Sequence, residues 1–257
     1  MTELVHLDVA AGVATITLDS PANRNALSAQ LRRELLVHLD TAVADGAARV
    51  LVLTHTGPVF CAGMDLTEAS APEQGGIELS AILERIWTSP TPVLARLTGP
   101  ARAGGVGLVA ACDIAVAAHD ATFAFSEVRI GVVPAIISVP VLPRLRPHAA
   151  HELFLTGETV DARRAAQLGL VNSAVPEVEL DAEVTRYVAM LLRGAPGAVA
   201  ATKAMLRRER PASMTDQLRE MRTLSARFFA SEEGQEGMRA FREKRPPSWA
   251  RTEQPRR

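Results

Sequence analysis

GPARAGGVGLVAACDIAVA, from Gly99 to Ala117, decides the fold. Its glycines stand at the mouth of a short apolar helix, and Cys112-Asp113 then leads into the strand-like run Ile114–Ala118. Glycine lets a ligand approach the main chain closely. A helix start aims unpaired N–H groups and the positive end of a dipole at that ligand. Such a segment suits the stabilisation of negative charge, on a phosphate or on an oxyanion.

Outward from this stretch the elements alternate. Leu4–Val9 and Val13–Leu18 read as strands about Ala11-Gly12, which predicts a hairpin. Ser28–Val43 carries apolar residues at helical spacing behind a capping serine. Val50–Thr54 and Val93–Leu97 are the short apolar runs of buried strands, and Ile77–Trp87 is helical and stops before Pro90. Thr122–Phe125 is a further strand. From Pro147 onward the pattern is mostly helical, clearest over Leu180–Leu192, Ala198–Arg208 and Met214–Phe241, the last broken near Gly234–Gly237. The tail after Trp249 is polar and reads as frayed. The expectation is an α/β core over residues 1–195 and a helical region over 196–257.

Composition excludes several classes. In 257 residues, 28 basic against 29 acidic side chains give a net charge of −1, so nucleic acid and anionic membranes are not generally attracted. Aromatics at 4% offer no platform for stacking bases. Cys61 and Cys112 make no disulfide framework, and no Cys/His spacing resembles a metal site. The chain starts without a leader pattern, and no apolar run approaches the ~18–20 residues of a membrane span. A soluble cytoplasmic protein with no metal is expected.

Two motifs are set aside. Gly105-Val106-Gly107-Leu108-Val109-Ala110 matches the dinucleotide pattern G-x-G-x-x-A, but Gly99–Ala103 separates it from the preceding strand and Asp120 comes too early for the ribose acid. No G-x-S-x-G elbow is present, and Cys61 lies in an apolar FCAG stretch that suits a buried thiol.

NRNALS (Asn23–Ser28), FCAGMDL (Phe60–Leu66), AGGVGLVAACDIAVA and FSEVRIGVVPA (Phe125–Ala135) follow one another in an order that resembles the crotonase superfamily, the enoyl-CoA hydratases and isomerases. The resemblance continues through Leu155–Pro176, Ala200–Leu206 and Phe241–Trp249, nearly the whole chain. It implies an α/β fold, a crotonase (ClpP-like) spiral core of ββα units with a helical C-terminal extension, assembled as a homotrimer or a dimer of trimers. It implies an acyl-CoA thioester as substrate and no separate cofactor, since coenzyme A is part of that substrate.

By the same resemblance, the backbone N–H groups of Met64 and Gly104 polarise the thioester carbonyl. Arg24 and the backbone of Asn25, Ala26 and Leu27 face the pantetheine and phosphates. Ala62, Asp65 and Leu66 border the adenine, and Phe241 and Lys244 reach in from the C-terminal helix. Family hydratases use two glutamates. The first, six positions before Asp113, falls on Gly107 and is absent; the second, four before Gly131, is Glu127. On its own, Glu127 also fits a loop acid paired with Arg129. Glu68, Glu73, Glu78 and Glu84, in the segment that covers the acyl pocket, are the nearest alternative acids. The expected activity is hydration of a 2-enoyl-CoA. Double-bond isomerisation by Glu127 alone is the alternative within the enzyme class, and a non-catalytic CoA-binding homologue the alternative outside it.

Overall fold

The computed structural model describes residues 2–68, 72–208 and 213–250. They gather into two compact units, 1–187 and 188–257. Of the tail after Trp249, expected to fray, Ala250 instead ends the short 3-10 turn Ser248–Ala250, and residues 251–257 lie outside the described residues.

The first unit opens with the hairpin β1 (Val5–Ala10) and β2 (Val13–Leu18), turned by Ala11 and Gly12, both at positive φ. Helix α1 (Ala29–Ala44) follows, capped by Ser28, whose side chain accepts from Leu31 N–H. Strand β3 (Val50–His55), helix α2 (Pro72–Thr88) and strand β4 (Val93–Leu97) come next. The short strand β5 (Ala101–Arg102) leads into α3 (Gly104–Ala111), and β6 (Ile114–Ala118) and β7 (Thr122–Ala124) complete the region around the opening stretch. Then come α4 (Ala135–Val141), α5 (Pro147–Thr156), β8 (Val160–Asp161), α6 (Ala162–Leu168), β9 (Ser173–Val175) and α7 (Glu177–Leu192), which begins in the first unit and ends in the second.

Six strands form the main sheet in the order β1-β2-β3-β4-β6-β9, parallel throughout except for the hairpin. Parallel neighbours need crossover connections, and α1, α2 and α3 supply the first three. Because each new strand is added beside the last, the chain advances as a spiral. A small second sheet, β5-β7-β8, ties the strand before α3 to the strand before Glu127. The core between helices and sheet holds Ile16, Leu31, Leu35, Leu53, Phe60, Ile82 and Phe123, all fully buried. Burial of such side chains contributes about 1.5–3 kcal/mol each. All of α3 is buried as well, so its N-terminus is fixed from every side.

In the second unit the structure corrects one expectation. The long helix breaks at Ser231, between α9 (Met214–Ala230) and α10 (Glu232–Arg242), and both Gly234 and Gly237 lie inside α10. Ser231 adopts extended backbone and its hydroxyl accepts from Gly234 N–H, which starts a new helix more effectively than two glycines end the old one. Helix α8 (Pro196–Arg207) has its first N–H groups, those of Gly197 and Ala198, bonded to the Glu233 carboxylate at 3.0 and 3.1 Å. Trp249 Nε1 donates to Arg193 carbonyl.

Candidate active site

Two loops that follow buried strands meet beside α3. In the first, Gly63 sits at φ +94°, where a Cβ would lie 3.0 Å from that of Ala103 and 3.6 Å from Gly104 N. Only glycine accepts both the conformation and the approach. Its carbonyl accepts from Leu27 N–H at 2.8 Å. Gly63 C=O and Met64 N–H belong to one planar trans peptide. Fixing the carbonyl therefore fixes the Met64 N–H on the opposite side.

The second loop repeats the arrangement. The Ala103 carbonyl accepts from Val106 and Gly107 N–H at 2.9 and 3.2 Å, and the Ala103 N–H donates to Ala124 at 3.1 Å. The shared peptide plane then sets the Gly104 N–H, which leaves the helix at its positive end. Ala103 itself is held at φ +47°, ψ −117°, a conformation L-residues rarely adopt. Among the described residues, neither Met64 N–H nor Gly104 N–H has a hydrogen-bond partner. A fixed, free N–H of this kind can stabilise a carbonyl oxygen as it gains negative charge.

Glu127 follows Ala124 by three residues, so its Cα lies within about 11 Å of the strand that anchors Ala103. It is the second residue of a 3-10 turn, Ser126–Ile130, which Gly131 closes in the left-handed conformation at φ +76°. The E-x-x-x-G spacing is thus one turn and its cap. Beneath the turn, Phe125 is buried and stacks on Phe154 at 4.4 Å. Arg129 does not pair with Glu127: its guanidinium bonds Glu158 and the Thr156 carbonyl. Among the described residues Glu127 Oε2 is buried with no partner, and burial raises the carboxyl above its ordinary value. Carboxyls perturbed in this way are frequent where protons are exchanged.

Gly107 lies one turn into α3. A Cβ there would come within 2.7 Å of Ile137 Cγ2 and 3.6 Å of Leu83 Cδ1. The place of the absent first glutamate is closed by apolar side chains of α4 and α2. On their outer side a cavity of about 710 Å³ opens between the two helices, with Leu83, Trp87, Ile136 and Val139 among its walls. Two of the alternative acids are engaged elsewhere. Glu68 accepts from Ala29 N–H at 2.6 Å, at the start of α1, and Glu78 pairs with Arg32 at 2.7 Å. Glu73 and Glu84 are exposed, and Glu84 lines that cavity.

Around the expected CoA path, Arg24 is exposed at φ +60° and its side chain has no partner among the described residues. Its carbonyl accepts from Ala62 N–H, which joins the two loops. Asn25 is fully buried: its side chain donates to the Thr56 and Val59 carbonyls and accepts from Ser20 N–H. The N–H groups of Asn25, Ala26 and Leu27 are bonded to Ser20, Asn23 and Gly63 carbonyls. This loop accordingly offers a ligand the Arg24 cation rather than backbone donors. Asp65 accepts from both Thr67 N–H and Thr67 hydroxyl, so it orders its own loop beside the exposed Leu66. Phe241 and Lys244 are exposed in the second unit. Cys61 is buried, which pushes its thiol up to about 12 and leaves it inert.

Three groups escaped the sequence reading: Ile137, Leu83 and the Arg32–Glu78 pair. Arg32 left a trace, a charge beside the core-facing positions Leu31 and Leu35 of α1. Ile137 left none, because only packing brings it to Gly107. Among the described residues no cluster of acids, histidines and cysteines is arranged to hold a metal, and no helix is long and apolar enough to cross a membrane.

The model of the family "Enoyl-CoA hydratase/isomerase" matches residues 8–252. An enoyl-CoA hydratase structure from Mycobacterium avium is 46% identical, with a TM-score of 0.74 over 97% of this chain and 100% of that one. The enoyl-CoA hydratase of Mycobacterium smegmatis is 35% identical, with a TM-score of 0.90 over 96% and 99%. Carnitinyl-CoA dehydratase of Proteus mirabilis is 32% identical over 97% of this chain and 99% of its own. With its spiral of parallel strands and these relatives along nearly its full length, the chain belongs to the enoyl-CoA hydratase/isomerase family and has the crotonase fold.

Proposed function

We propose that the protein acts on an enoyl-CoA by forming a thioester enolate, with Met64 and Gly104 N–H on the thioester oxygen and Glu127 as the acid/base. The observation that carries this reading is the pair of carbonyl-clamped peptides whose N–H groups remain unused. Losing one such donor typically costs about 2.7–4 kcal/mol of transition-state stabilisation.

The reaction favoured is hydration, supported by the hydratase and dehydratase names of the relatives. Water bonds through oxygen to the β-carbon and gives a proton to the Glu127 carboxylate. The C=C electrons move onto the thioester oxygen and return as Glu127 passes a proton to the α-carbon. One carboxylate that first accepts and then donates completes this balance. The absence of an acid at Gly107 favours a second reading, isomerisation. Here Glu127 takes a proton from carbon 2 of a 3-enoyl-CoA and returns it to carbon 4.

Mass spectrometry of 2- and 3-butenoyl-CoA incubated with the protein in D₂O separates the two. Gain of a whole water supports hydratase action. Deuterium uptake with a shifted double bond and no water supports isomerase action. Neither change, with butyryl-CoA bound, would establish a binding protein and end the catalytic proposal.

A further inference from the structure

The Leu27 N–H that fixes the Gly63–Met64 peptide belongs to a residue that is itself held by a charge. Arg32, in the second turn of α1, is buried, and its guanidinium donates through Nη1 to the Leu27 carbonyl. Its Nε donates to Glu78 Oε2 of α2 at 2.7 Å, and Glu78 Oε1 accepts from Gln74 at 3.0 Å. One turn before Glu78, α2 presses on the same group. A Cβ at Gly75 would lie 2.8 Å from the Met64 methyl and 3.6 Å from Arg32 Nη2. The guanidinium, the Met64 side chain and the backbone of α2 therefore share one contact.

Stability alone explains this pair poorly. Taking both charges out of water offsets most of their attraction, and apolar replacements of such pairs are often neutral or stabilising. What a guanidinium adds is direction: several donors in a rigid plane, one on a carbonyl and another on a carboxylate. We infer that Arg32 and Glu78 are positioning residues for thioester polarisation, setting the Met64 N–H through Leu27 and linking it to α2. The inference rests on the reading of Met64 N–H as an oxyanion donor. Because α2 also walls the cavity beside Leu83, a group lodged there acts on the same helix that holds the donor.

The test uses the full chain and the variants Glu78→Gln and Arg32→Met/Glu78→Leu, the latter leaving no unpaired charge. Difference infrared spectroscopy of bound [1-¹³C]butyryl-CoA reads carbonyl polarisation directly. Deuterium exchange at carbon 2 of 3-butenoyl-CoA, butyryl-CoA affinity and the thermal midpoint are measured alongside. The double variant should keep its thermal midpoint and bind butyryl-CoA within about threefold of the original. Its carbonyl shift should shrink and its exchange rate fall about 10- to 100-fold, the penalty of a misplaced group. Exchange and carbonyl shift both unchanged, or a loss of exchange that merely follows weaker binding, would overturn the inference. If the double variant does not fold, the same readouts on Glu78→Gln decide, with a smaller loss in the same direction expected. A native protein that leaves the bound carbonyl unshifted would sink the oxyanion reading itself, and the inference with it. An unshifted variant beside a shifted native protein supports the inference.

Discussion

Ile137 occupies the space that a side chain at Gly107 would need: its Cγ2 lies 2.7 Å from where that Cβ would stand. The glycine is therefore a packing requirement of α3 against α4, not only a missing acid.

Gly107→Glu should then fail to install a second catalytic acid. Overpacking of a tight core commonly costs about 1–3 kcal/mol, and urea unfolding should show the upper part of that range, with no gain in water addition. Repeating the substitution on an Ile137→Ala background should lower its cost, a non-additivity expected of residues in contact. Equal costs on both backgrounds would show that α4 moves aside freely.

Glu127→Gln should lower α-proton exchange by about 10²–10⁴-fold, the usual worth of a general acid or base. Its pH behaviour has a definite sign. Burial raises the folded-state pKa above the ordinary 4.5. The stability Glu127 contributes is thus fully present below the unfolded value and lost as pH rises through the folded one. Glu127→Gln should melt higher than the original protein at neutral pH, and the difference should close below about pH 4.5. A base must be ionised, so exchange in the original protein should rise with pH through that raised value.

Arg24→Ala should weaken acyl-CoA binding about tenfold, the lower end of the ~1.5–3 kcal/mol of a hydrogen bond to a charged group, because the side chain is exposed. Calorimetry with an acyl-pantetheine, which lacks the nucleotide phosphates, should show almost no change. Equal losses for both ligands would place Arg24 away from the phosphates.

Gly63→Ala combines a positive φ with a Cβ 3.2 Å from the Arg102 carbonyl. Strain of this kind costs on the order of 1–3 kcal/mol. The relaxed loop should turn the Met64 N–H and cut exchange by roughly 10²–10³-fold. A variant that is less stable yet exchanges protons normally would detach the donor from this loop.

Most of the frame was legible because it obeys local rules. Ser28 caps α1, strand β4 is bounded as its apolar run indicates, and Glu127 with Gly131 encloses a single turn. The sequence misled where local rules compete. In α10, Gly234 stays helical because its missing Cβ admits the Phe228 carbonyl, 2.0 Å from where that atom would be, while the nearby serine supplies the cap. Helix α4 was hidden by Pro134 and Pro140, which discourage a helical reading. Strand β9 is three half-buried residues that make sense only as the edge of a sheet already built. The closure over Gly107 joins residues 30 positions apart, so no spacing rule could reveal it.

The two unused N–H groups belong to the main chain, and every residue type but proline carries one. Mutation at position 64 can therefore reshape the surroundings while leaving the donor in place. Fragility is displaced to residues that never meet a ligand: Leu27, whose N–H steadies one peptide, and Ala103 and Ala124, which steady the other. Loss-of-function variants of this protein should accordingly cluster on these supports, while Met64 itself tolerates exchange for other apolar side chains.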